Sequence, residues 1–348
     1  MKPTIHSPHS EPGIAPVAVT FSPTWFHHHY GVDYSEQTWR DPIGRAERNR
    51  ELARITFERF GDVGLGSQDP GAAPSISDPY GNYFMPALFG CQIVYPEDQA
   101  PANLPSDASF EDMARLQVPD FDTSPVIQRA LSEAQALKDK YGFCSGGICT
   151  GSPINVAVNV YGEQFLASCA LEPEIAQHVM RVIAETEFRL YREVSALIDP
   201  EHFPLDGMVF GYGNCPAVMF SPRVYRQVIL PVDKWVRSRV AQFHLHHCGV
   251  FDDYVDIYRE LDPASLDIGG GSDYRAIREA FPDTPFSLIV NAPDIEGHSE
   301  SEIDDLVGGM VEGAAPVDKI THLWCAEVSD RTDDDNVRAL RTANERVS

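Results

Sequence analysis

Beyond residue 124 the chain alternates short apolar runs with longer segments whose apolar positions recur every three to four residues. The first pattern predicts strands and the second helices. SPVIQRALSEAQALKDKYG (124–142) predicts a helix, FCSGGICTG (143–151) a strand, and residues 172–198 a long helical region. GMVFGYGNC (207–215) predicts a strand, and SPRVYRQVILPVDKWVRSRV a helix capped by Ser221 with Pro222 in its first turn. AQFHLHHCG alternates and closes on Gly249, which predicts a short strand, and FDDYVDIYREL after it is helical. Three further strand and helix pairs follow: SLDIGGG with YRAIREAF, FSLIVNAP with SESEIDDLVGGMVEG, and ITHLWCAEV with RTDDDNVRALRTANERV. Ser299 and Glu302 have capping-box spacing, and Thr332 is placed to cap the last helix with Asp333 to Asp335 in its first turn.

The earlier part is less regular. Residues 1 to about 20 are rich in Pro, Ser and His without periodicity, and 1–35 reads as an N-terminal arm, flexible or draped on the surface. Residues 36–60 predict a helix ended by Gly61. The span 68–120 reads as a lid-like insertion, within which YGNYFMPALFGCQIVYP has the look of an irregular hairpin. Strands alternating with helices predict a parallel sheet covered by helices. No G-x-G-x-x-G follows an early strand, so a dinucleotide fold lacks its signal. The expected fold is therefore α/β, a (β/α)8 TIM barrel formed by 36–348 as a single domain.

Charge narrows the partners. With 27 basic against 52 acidic side chains and a net charge of −25, neither a nucleic-acid surface nor an anionic membrane is expected as a partner. The start of the chain lacks an apolar block of signal-peptide length and nothing approaches a membrane span, so a cytoplasmic protein is expected. Seven cysteines spread over 348 residues do not resemble a disulfide framework. Most should be core thiols.

In barrels the working residues sit at the C-terminal ends of strands. HLHHCGV (244–250) places three histidines and a cysteine in five positions. On a strand His244, His246 and Cys248 share one face, and Leu245 and His247 the other. His246 and Cys248 form half of a metal site, and Cys325, near the last strand's end, can converge on them in a closed barrel. Such a His-Cys-Cys set with an open fourth position suits catalytic Zn2+ and a substrate thiol. His244 reads as a deeper hydrogen-bonding group and His247 as structural. Tyr212, Asn214 and Cys215 are candidate substrate contacts, although Cys215 reads first as a core thiol and otherwise as a substrate contact or a spare ligand. Asn291 and Glu327 could position substrate, and Glu327 could move a proton; either could instead tie one strand end to its neighbour. His28 and Tyr30, in HHHYG, either face solvent or reach the substrate from an arm folded over the barrel mouth.

H-x-C-G at 246–249, SPRVYRQVILP at 221–231, GSPINVAVNVYGEQFL at 151–166 and WCAEVSDRTDDDNVRAL at 324–340 carry a resemblance. From about residue 45 to 345 the chain resembles the uroporphyrinogen decarboxylase superfamily, and within it the zinc-dependent branch that moves a methyl group between methylcobalamin and a thiol such as coenzyme M. The resemblance implies a (β/α)8 barrel, zinc on His246, Cys248 and Cys325, and a methylated corrinoid as co-substrate. No D-x-H-x-x-G corrinoid motif occurs here, which implies a corrinoid presented by a separate protein or in free form. The arginine-rich motif of the decarboxylases proper is absent, and Phe210, Gly211 and Cys215 replace the acids and glutamine usual in the methyltransferase branch. Two other functions stay open: a decarboxylase or lyase acting on a small acid, and a metal-binding protein without turnover. Barrels of this kind often pair, so a homodimer is compatible with the sequence, which itself is silent on oligomeric state.

Overall fold

The computed structural model describes residues 17–76 and 79–346. The first sixteen residues of the expected arm lie outside them. The described strands are β1 (Val17–Phe21), β2 (Pro79–Asn82), β3 (Gln92–Val94), β4 (Ala102–Leu104), β5 (Val209–Gly213), β6 (Gln242–His247), β7 (Ser265–Ile268), β8 (Phe286–Asn291) and β9 (Ile320–Val328). In the first of the two units described below, β1, β9, β8, β7 and β6 are neighbours in that order in a parallel sheet; in the second, β3 pairs with β4 in an antiparallel ribbon. The architecture is α/β, parallel strands with many helices, consistent with a TIM-like barrel. Among the described residues the parallel sheet does not reach the eight strands expected.

The chain forms two compact units. Of the described residues, the first comprises those in 17–32, 51–70 and 244–346, and the second those in 33–50, 71–76 and 79–243. In the first unit β1 lies within the segment read as an arm, yet it pairs with β9, Val17 opposite Leu323 and Val19 opposite Cys325. A five-residue VAVTF run is too short to stand out beside the Pro-rich stretch before it. The helix Pro23–Tyr30 follows, capped by the Ser22 hydroxyl, which accepts from the Trp25 amide, and stopped by Gly31 in the left-handed region. The predicted capping box is present, with Ser299 and Glu302 bonding reciprocally at the start of Glu300–Gly313. The last helix starts at Asp334, and the Asp333 carbonyl accepts from the Asn336 and Val337 amides. Thr332 is not the cap; its hydroxyl donates to Glu296.

Register sets the two faces of β6 to β9. His246 pairs with Asp267, Asp267 with Ser287, and Ser287 with His322, so these four side chains lie on one face. Leu245, Leu266, Leu288 and Leu323 form the opposite, fully buried face.

The second unit is mainly helical, with Pro125–Tyr141, Pro153–Tyr161, Glu163–Leu171 and Pro173–Leu190 as its longest pieces. Ser124 and Ser152 cap the first two, each followed by proline at the first helical position. FCSGGICTG forms no strand, Ser145 making a single bridge to Ser75. Its glycines weaken a strand, and Gly146 lies so close to the Ser195 carbonyl that an added Cβ would stand 2.6 Å from it. The helix expected after Ser221 is present in three parts: Pro222–Val224, a π turn at Tyr225–Ile229, and Leu230–Arg237. Pro231 has no N–H to continue the ladder, and the wide turn just before it accommodates that loss. Among the described residues no helix is long and apolar enough to cross a membrane.

Candidate metal centre

Along β6 the odd-numbered Phe243, Leu245 and His247 are buried, while His244 and His246 are partly exposed, as alternation predicted. His247 is fully buried against the rings of Phe251, Tyr254 and Tyr258, and its Nδ1 shares a 2.8 Å hydrogen bond with the Tyr258 hydroxyl. Burial pulls its pKa down to about 4, so it is a neutral core histidine. His244 shares a 2.6 Å hydrogen bond with Ser265, and burial lowers its pKa too.

His246 has different surroundings. Its Nδ1 lies 3.2 Å from Asp267 Oδ2, and its ring lies 5.9 Å from that of Trp324. Burial disfavours the imidazolium, but Asp267 and the Cys248 sulfur outweigh it and raise the pKa to about 9. With Nδ1–H donating to the carboxylate, Nε2 is left for a metal, the arrangement typical of ligating histidines.

Within the first unit His246 and Cys248 interact at the end of β6 and offer an imidazole nitrogen and a sulfur, two of the ligand types that a zinc ion takes.

Cys325, expected as the third ligand, is not grouped with His246 and Cys248. It pairs with Val290 and Val19, and so lies on the Leu323 face, opposite to that of His246. Trp324 takes the His246 side instead. Cys325 is completely buried, and burial, with the nearby Asp294 charge, pushes its thiol up to about 12, as suits a core residue. It also lies three residues short of the end of β9.

A glycine supports Cys248. A Cβ on Gly269 would meet the Gly249 carbonyl oxygen at 2.2 Å and the Cys248 carbonyl carbon at 2.4 Å. The end of β7 thus approaches the Cys248 backbone as only glycine allows. The GGGS run at 269–272 carries this signal, but its role cannot be read before β7 is known to flank β6. Gly269→Ala is expected to displace Cys248 and weaken metal binding on the order of tenfold or more. Competition with a chelator measures this, and unchanged affinity would count against the placement.

The other candidates have structural partners. The Asn291 amide side chain donates to Asp294 at 2.8 Å and caps the turn Ala292–Asp294, a local bond within its own loop and not a tie to a neighbouring strand. Glu327 is exposed, holds a left-handed φ of 59°, and its N–H donates to the Thr20 hydroxyl. Tyr212 and Asn214 are fully buried: Tyr212 donates to the Asp233 carboxylate, and Asn214 to the Tyr225 hydroxyl. They are supports of β5, not a surface open to substrate. His28 bonds Asp330 at 2.6 Å with two-thirds of its side chain exposed, and Tyr30 is 41% exposed beside Trp25, as in the solvent-facing reading.

Together these features define an α/β protein with a parallel sheet and, at the end of β6, a His-Cys pair able to contribute to a metal site. No protein-family model matches the sequence, and no curated protein does. Among solved structures the chain is similar to a methyltransferase from Methanosarcina mazei, with a TM-score of 0.62 and 17% identity over 97% of this chain and 95% of that one. At that identity the likeness is one of fold alone.

Proposed function

We propose that this chain is a zinc-dependent methyltransferase acting on a thiol, in the corrinoid-linked branch of the uroporphyrinogen decarboxylase superfamily. The observation that carries this reading is His246, oriented by Asp267 and set beside Cys248 at a strand end, in a chain whose fold is similar to that of a methyltransferase. With a second thiolate as third ligand, this pair would leave a fourth position for a substrate sulfur. Bound there, zinc would keep a substrate thiol deprotonated at neutral pH and so make it a nucleophile toward a methyl donor.

The chain's own residues orient and shield. Asp267 accepts from His246 Nδ1 and holds the ring with Nε2 outward. The Trp324 ring stands beside that imidazole and limits water on its side. Gly269 seats the Cys248 backbone. The proposed donor is a methylated corrinoid from a separate protein or free in solution.

The test uses the Co2+-substituted protein. Small thiols should change the sulfur-to-metal charge-transfer band, and a productive thiol should be methylated by added methylcobalamin. A Co2+ spectrum indifferent to every thiol tried would overturn the reading.

A further inference from the structure

One buried hydroxyl holds the loop that carries Cys248. Cys248 lies one residue past β6, beyond the last ladder pair, His247 with Ile268, so the strand ladder does not fix it. The loops leaving β6 and β7 take over. Three residues on from Cys248 the Phe251 N–H donates to the Ser272 hydroxyl at 3.0 Å, and that hydroxyl donates to the Gly269 carbonyl at 2.8 Å. Gly269 is the residue that presses on the Cys248 and Gly249 carbonyl groups as only glycine allows. A ring of contacts therefore runs from the Cys248 backbone to Gly269, from Gly269 to Ser272, and from Ser272 to Phe251. All of it lies in the first unit.

Each part of the ring is held from behind. Phe251 and Ser272 are buried, and the Phe251 ring packs on those of His247 and Tyr258 with centroids 5.7 and 5.0 Å away. Gly271, at a left-handed φ of 79°, turns the chain between Gly269 and Ser272. The Tyr274 hydroxyl gives the Gly269 carbonyl a second donor at 3.2 Å, and the Asp273 N–H donates to Asp252 at 2.8 Å. A serine hydroxyl can both accept and donate, as the ring requires. With alanine in its place the Gly269 carbonyl would keep Tyr274, but the buried Phe251 N–H would lose its acceptor, and the loop would move to find another. A thiolate binds zinc at about 2.3 Å, so such a movement is felt at the metal before it is felt by the fold.

Resting on the reading of His246 and Cys248 as metal ligands, we infer that Ser272 is a positioning residue, which clasps the loops after β6 and β7 and so sets the Cys248 sulfur for the ion that His246 binds.

The experiment measures, on the full chain, Co2+ affinity by chelator competition and the sulfur-to-cobalt charge-transfer band at saturating Co2+. Ser272→Ala is expected to bind Co2+ about tenfold more weakly, the usual scale for a group that orients a ligand, and to shift or weaken that band. Tyr274→Phe removes a donor from the same Gly269 carbonyl but leaves Phe251 bonded to Ser272, so it should lose much less affinity than Ser272→Ala. Wild-type affinity and spectrum in Ser272→Ala would overturn the inference. So would an equal loss in Tyr274→Phe, since a general loosening of the loop would then suffice. If Ser272→Ala fails to fold, hydrogen exchange on the wild-type chain decides. Coupling is reciprocal, so zinc should slow exchange of the Phe251 amide by about the same tenfold, and an unchanged rate would overturn the inference. A wild-type chain that binds no Co2+, or a Cys248→Ala variant that binds it as tightly as the wild type, would instead overturn the metal-ligand reading, and this inference with it.

Discussion

Cys248→Ala should lower bound zinc from about one ion per chain to near zero, because a three-ligand site that loses a thiolate keeps only two anchors. His246→Ala should do the same, whereas Cys325→Ala should keep its zinc and lose only about 1 kcal/mol of packing. The contrast between Cys248 and Cys325 is the informative part, since Cys325 lies on the face of the sheet opposite to that of His246. Metal analysis after exhaustive dialysis reads both results. Zinc lost with Cys325 would overturn that contrast. Since ligand binding to the folded state alone adds stability, the metal-free variants should also melt earlier than the wild type in excess zinc.

Glu187→Met should make the protein more stable at neutral pH by about 2 to 4 kcal/mol. Glu187 lies on the helix Pro173–Leu190 at 1% exposure, and neither carboxylate oxygen has a hydrogen-bond partner among the described residues. Burial raises its pKa well above 4.5. In the unfolded chain a glutamate ionises near pH 4.3, while the folded chain keeps its proton until the higher folded pKa. Between those two values the unfolded state binds fewer protons, so stability is complete at acid pH and falls as pH rises, by up to about 1.4 kcal/mol per unit. Methionine removes that slope and fills a similar volume. Urea unfolding at pH 5 and pH 8 should show the curves of the two proteins diverging toward high pH; parallel curves would contradict the argument.

Much of the first unit was legible because its signals are local. The alternation in FHLHH assigned β6 and the faces of its histidines, and the Ser299 and Glu302 spacing marked a helix start. His246 and Cys248 stand together at the end of β6, as the alternation indicates, whereas the side of Cys325 is set by pairing with Val290, a register that no single strand reveals. Tyr212 and Asn214 stood at the expected strand end, yet alternation along β5 turns Phe210 and Tyr212 inward, and the acid that binds Tyr212 lies 21 residues on. FCSGGICTG misled because a short apolar run with glycines fits a strand pattern as well as a close-packed loop.

The pairing of β1 with β9 bears on how the chain can be trimmed. A shortened version beginning after Phe21 would strip the neighbour from a nine-residue strand and bare its row of amide and carbonyl groups. Such a row is a template for joining another chain edge to edge, so that version would tend to self-associate even with its metal ligands intact.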